Sequence, residues 1–170
     1  DEVQELGKKL VQAAMQLHKR VAGTFRKTAA NFHYEFNVRH VAGVFQGMLM
    51  GQPAQLQDPL KMTQLWLHES ERTYGDRLVS VGDLKKYKDL AMEQAKKFFK
   101  EMSPPTLFPE PLIFCHFAQG VGDKIYDRVA TFPELSALLN GALDEYNETN
   151  AVMDLVLFED AMKHIALTQC

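Results

Sequence analysis

The sequence predicts a mainly α-helical protein. A bundle of four amphipathic helices covers residues 1–103. A second part, residues 104–170, carries short β segments and two further helices. Three observations support this. Apolar residues recur at steps of three and four through most of the first hundred positions. Two breaker clusters, Gly51-Gln52-Pro53 and Ser103-Pro104-Pro105, punctuate that pattern. Beyond Pro105 the chain becomes Pro-punctuated, aromatic and extended in character.

The first helix is predicted from Val3 to about Lys27. Val3, Leu6, Leu10, Ala14, Leu17, Val21 and Phe25 form one face, and Lys8, Lys9, Gln12, Gln16 and Lys19 the other. It ends near Ala30, before an aromatic entry, Phe32-His33-Tyr34. Asn37 then caps a second helix from Val38 to about Met50, with Val38, Val41, Phe45 and Met48 at helical spacing. Asp58 is a good cap and Pro59 fits the first helical position, so a third helix runs from Pro59 to about Tyr74. Its polar stripe, His68, Arg72 and Asp76, reads either as a solvated, salt-bridged face or as a helix that orients a neighbouring charged site. Gly82-Asp83 opens a fourth helix to about Met102, its core face made by Leu84, Tyr87, Ala91, Ala95, Phe98 and Met102. The paired prolines after Ser103 favour an extended segment. Leu112-Ile113-Phe114 reads as a short strand, and Gly120-Val121-Gly122-Asp123 as a turn. Thr131 and Glu134 fit a capping box ahead of a helix over Leu135, Leu138, Leu139, Leu143 and Tyr146. Met153 to Phe158 reads as a β-like segment, followed by a helix start at Glu159-Asp160-Ala161-Met162.

Composition narrows the function classes. The 170 residues are 46% hydrophobic and 24% charged, with a formal net charge of −3, so a sizeable core is available. The mild acidity gives no reason to expect nucleic acid or an anionic membrane as partner. No apolar run approaches the roughly 20 residues a membrane span needs. Cys115 and Cys170 lie far apart, which suggests reduced thiols in a cytosolic-type compartment. The opening Asp1-Glu2-Val3, without methionine or targeting segment, suggests a piece of a longer chain.

The odd residue is Arg39. A cation in the first turn faces the positive end of the helix dipole, at a cost of about 0.3–1 kcal/mol. Two readings stand: an arginine that is solvated or paired with a carboxylate, or one that meets an anion at the helix start. No phosphate-cradling loop, dinucleotide fingerprint, metal-ligand spacing or nucleophile elbow accompanies it. An isolated, complete enzyme is therefore not expected. The residues leave three hypotheses: an accessory domain supplying Arg39 to a phosphate bound elsewhere, a free-standing helical interaction module, or a small enzyme with an unreadable site.

Four blocks carry a resemblance: Thr24-Phe25 through His33-Tyr34-x-Phe36-Asn37-x-Arg39; Val44-Phe45-Gln46-Gly47-Met48-Leu49; Leu65-Trp66-Leu67-His68-Glu69-Ser70-Glu71-Arg72 with Asp76-Arg77-Leu78; and Tyr146-Asn147-Glu148-x-Asn150 through Leu155-Val156-Leu157-Phe158-Glu159-Asp160-Ala161-Met162-x-His164. In order and spacing they resemble dynein heavy chains, most closely the axonemal type, where the lid of the third AAA+ module runs into the fourth. The resemblance implies an α-helical AAA+ lid over residues 1–103, then a connector and the start of the fourth module's large domain over 104–170. It implies an ATP-driven, minus-end-directed microtubule motor of cilia and flagella. Its cofactor would be ATP or ADP with Mg in the intact module, with none expected for this piece alone. It implies as partners the neighbouring AAA+ domains, intermediate and light chains, and microtubules. Arg39 matches the second-sensor arginine that reaches nucleotide phosphate. Leu155, Val156, Leu157 and Phe158 match a segment near the next module's adenine pocket. Two departures stand out. Arg39 is followed by His40, where the family usually has an acidic residue, and Phe25-Arg26-Lys27-Thr28 lacks a proline often found there, which would let the first helix run on.

Overall fold

The structure is a computed structural model that describes residues 2–120, 122 and 125–168, without the side chains of Glu2 and Val3. The chain forms two units, Asp1–Met50 with Leu56–Phe108, and Gly51–Gln55 with Pro109–Cys170. The first is helical throughout. Helix α1 (Glu2–Thr24) buries Leu10, Ala14, Leu17 and Val21 on the face read from the sequence. It stops at Thr24, short of the predicted end. Phe25 turns inward, its ring in edge contact with Tyr34 and Phe36 (centroids at 6.2 and 6.4 Å). Thr28 then closes a local turn by accepting the Asn31 N–H at 3.1 Å. Aromatic packing here overrides helix propensity.

Helix α2 (Val38–Met48) starts at Asn37 as expected, but its buried face is rotated. Val41, Val44 and Gly47 face inward, while Val38 is 73% exposed. The reason is Gly47, whose missing side chain lets α3 (Pro59–Tyr74) approach closely. A Cβ at position 47 would lie 1.9 Å from Oε2 of Glu69.

Helix α3 is the centre of the unit. Asp58 caps it through the Leu60 N–H at 3.0 Å, and Pro59 occupies the first turn. Thr63 to Ser70 are all buried, and the predicted polar stripe divides: His68 is buried, Arg72 half-buried and Asp76 exposed. His68 is 2% exposed and Glu69 is completely buried. Arg72 holds the Glu69 carboxylate, with Nε at 3.2 Å and a terminal guanidinium nitrogen at 3.1 Å. Such a group is tolerated inside only when paired.

A single 3-10 turn, Gly75–Arg77, follows α3. Helix α4 (Val81–Phe98) starts one step before the predicted Gly82-Asp83, because Ser80 accepts the Asp83 N–H at 3.0 Å. It ends at Phe98. Phe99 leaves helical geometry and buries against Trp66 (6.1 Å), so Tyr87, Leu90, Ala91, Gln94 and Ala95 form the buried face of α4. The two prolines start a helical turn, α5 (Pro104–Leu107), in place of the expected extended chain. Proline fits the first turn, where no N–H is needed. Gln64 of α3 donates to the Thr106 carbonyl at 2.7 Å, and Leu107 is fully buried.

In the second unit, β1 (Ile113–Cys115) pairs antiparallel with β2 (Asp127–Val129), a strand that no sequence pattern announced. Of the turn between them, Val121 and Asp123 lie outside the described residues, as does Cys170. Helix α6 (Phe132–Thr149) has Thr131 at its cap, accepting the Glu134 N–H at 3.3 Å. Glu134 reaches back one residue further than the box predicts, to the Ala130 N–H at 3.0 Å. Helix α7 (Glu159–Thr168) completes a core of Ile113, Cys115, Val129, Leu135, Leu139, Met162 and Ala166. Residues 153–158 are irregular and not β. The Asn147 side chain takes both backbone groups of Met153, accepting its N–H at 2.8 Å and donating to its carbonyl at 3.1 Å. That side chain does what a neighbouring strand would otherwise do.

Candidate phosphate-facing site at the start of α2

Chain geometry puts three cations around the first turn of α2. Lys27 comes from the segment after α1, Arg39 from α2 itself, and Arg77 from the 3-10 turn after α3. With Phe32, His33, Glu35, Asn37 and His40 they line a cleft of about 640 Å³. The aromatic entry fixes one wall. Tyr34 is buried, donates to Asp83 Oδ2 at 3.0 Å and accepts the Val79 N–H at 3.1 Å, tying the entry to the start of α4. Tyr34→Phe is expected to cost about 1–2 kcal/mol, read as a lower urea midpoint, because it strips a hydrogen bond from two part-buried groups.

The first turn is doubly closed. The Asn37 side chain accepts the Arg39 N–H at 3.0 Å, and the His40 ring accepts the Asn37 N–H on Nδ1 at 3.0 Å. This is a capping box with histidine at its third position. It supplies the physical account of His40: a neutral imidazole does the accepting that a carboxylate does in the usual box. Burial and then the Arg77 guanidinium hold its pKa below the ordinary imidazole value, against the opposing pull of the Asn37 carbonyl and Glu35. Lys27 pairs with Glu35, and its hydrogen bond and charge hold that carboxyl below the usual range.

Arg39 is exposed, and its guanidinium makes no hydrogen bond or ion pair among the described residues. The carboxylate-paired reading is therefore not what the structure has. Lys27 and Arg77 are additional residues that sequence reasoning did not place here. They lie 12 positions before and 38 positions after Arg39, and no local motif joins them. Lys27 is paired with Glu35, so the positive charge the cleft offers to an anion is that of Arg39 and Arg77, the first-turn amides being taken by the cap. Among the described residues no group of three or more His, Cys, Asp or Glu could hold a metal ion. No helix there is long and apolar enough to cross a membrane.

The second predicted site divides. Leu155 and Leu157 line an apolar cleft of about 240 Å³ with Leu139, Leu143, Tyr146 and Ile165. Val156 and Phe158 are exposed outside it, at 83% and 62%. Successive side chains of an extended stretch alternate sides, so Leu155 and Leu157 face the cleft and Val156 and Phe158 do not.

Comparison with known proteins gives the family. A family profile described as "AAA+ lid domain" matches residues 10–109. The chain is 57% identical over 169 residues, 97% of its length, to the dynein alpha chain of the flagellar outer arm of Chlamydomonas reinhardtii. It is 47% identical over 163 residues, 96% of its length, to a ciliary dynein beta chain of Tripneustes gratilla and, equally, to human dynein axonemal heavy chain 17. It spans about 4% of the length of each of these relatives. On the profile match and the helical unit that fits it, this chain belongs to the AAA+ lid domain family, in the form similar to axonemal dynein heavy chains.

Proposed function

We propose that this chain is part of the motor ring of an axonemal dynein heavy chain: the lid of its third AAA+ module, residues 1–103, followed by the connector and start of the fourth, residues 104–170. In that reading Arg39 is the second-sensor arginine and contacts the phosphates of a nucleotide held by the large domain of its own module. ATP or ADP with Mg supplies the anion there. The parent chain is then an ATP-driven microtubule motor of the cilium or flagellum, working with intermediate and light chains. The observation that carries the reading is the exposed, unpaired Arg39 guanidinium on a doubly capped helix start, in a cleft whose remaining free cation is Arg77 among the described residues.

The residues support a relay. Arg39 rides on α2, α2 packs on α3 through Gly47 and Glu69, and α3 holds α5 through Gln64. A pull on the guanidinium is thus passed through packed helices to the end of the helical unit, and the chain carries it on toward the next module. Arg39→Ala in the intact heavy chain is expected to weaken one nucleotide population about tenfold, the value of one charge-assisted contact. Unchanged nucleotide affinity and unchanged microtubule release in a folded variant would sink the assignment.

A further inference from the structure

We propose that His40 is a positioning residue for Arg39: its neutral imidazole closes the turn that carries the guanidinium, and anion binding there weakens when the ring takes up a proton. The proposal rests on the phosphate-contact reading of Arg39 and adds to it a proton-sensitive support.

The geometry carries it. The Arg39 N–H is held by the Asn37 side chain, and the Asn37 N–H is held in turn by Nδ1 of His40, each at 3.0 Å. An imidazole nitrogen accepts only while it bears no proton. Once protonated, Nδ1 becomes a donor, and the Asn37 carbonyl lies at 3.3 Å to receive it. The Asn37 N–H then loses its acceptor, and the support under Arg39 opens. Burial and Arg77 oppose that proton more than the Asn37 carbonyl and Glu35 favour it. Arg77 faces it from the turn after α3 and Glu35 from the entry segment, with the Glu35 charge shared with Lys27. From α1, His18 feels the charge of a protonated His40, which lowers its own pKa, and it is hydrogen-bonded to Tyr74 of α3 at 3.2 Å. The Phe36 ring packs on the imidazole at 5.9 Å.

The sign follows. The His40 pKa in the fold lies below its ordinary 6.5. The cap is therefore fully present above pH 6.5 and is lost as the pH falls through the lower folded value. A simple charge effect predicts the opposite, since a new cation beside Arg39 attracts an anion. The two are separable.

The test uses the intact heavy chain and the nucleotide population that Arg39→Ala weakens, titrated with ADP from about pH 8 to about pH 5.5, a range spanning the imidazole pKa. His40→Gln serves as the control, because a Gln amide oxygen accepts at every pH and completes the same box. Its curve also cancels the titration of the nucleotide itself. Wild-type affinity is expected to fall roughly three- to tenfold further than that of His40→Gln on acidification, the usual worth of a helix cap. Hydrogen exchange over residues 35–44, without nucleotide, is expected to quicken at low pH more in the wild type than in His40→Gln. Parallel curves and parallel exchange overturn the role of His40 and leave the Arg39 reading standing. Tightening of the wild type relative to His40→Gln overturns it too, and makes the ring an anion ligand. An Arg39→Ala variant with normal nucleotide affinity overturns the phosphate reading instead.

Discussion

Gly47→Ala is expected to destabilise the helical unit by about 2–4 kcal/mol, read as a lowered urea midpoint of this chain. In an open helix the same change is stabilising, by roughly 0.5–1 kcal/mol, because glycine has more backbone entropy to lose. Here the added methyl would lie 1.9 Å from Oε2, 2.2 Å from Cδ and 2.9 Å from Cγ of Glu69. A long surface side chain would swing away at little cost. Glu69 is completely buried and gripped by Arg72, so moving it opens the ion pair or shifts α2 off α3. A neutral or stabilising result would mean that α2 and α3 can part without loss. At Gly43, one turn earlier, nothing lies within 4 Å of an added Cβ, so Gly43→Ala is the built-in control.

Arg72→Met is expected to cost a similar amount, about 2–4 kcal/mol, by urea or thermal unfolding. Taking the guanidinium away from a completely buried carboxylate costs more than the pair itself is worth. The methionine keeps the aliphatic volume, so the loss reports the charge rather than a cavity. Combined with Gly47→Ala the losses should fall short of their sum, because both act on one carboxylate. Additive losses would show that the two residues support Glu69 independently.

The legible parts of the sequence were those governed by neighbours a few residues away. Asp58-Pro59 and Thr131 announce helix starts because a cap and its amides lie within one turn. The α1 stripe was legible for the same reason. Features decided by distant partners were not. His68 looks like part of a solvated polar stripe with Arg72 and Asp76 until α1, α2 and α5 close around α3. Strand β2 is three residues long, with a half-buried pattern too short for alternation to show. At the candidate site, the rule for a capping box names Glu or Gln at the third position, so Asn37-x-x-His40 passes unnoticed although the ring makes the same bond. Arg39 was visible only as a charge at the wrong end of a helix dipole, and Arg77 could not be placed beside it from spacing alone.

The pentapeptide Gly51–Gln55 groups with the second unit although helices of the first flank it, and Gly51 bridges to Tyr126. The backbone consequently passes between the units at three places: after Met50, after Gln55 and after Phe108. No single peptide bond divides one unit from the other. A protein ended at Phe108 to isolate the bundle would keep those five residues but lose Tyr126, leaving a loop cut from the surface it was folded on. A faithful excision has to remove the pentapeptide as well and rejoin α2 to the segment before α3.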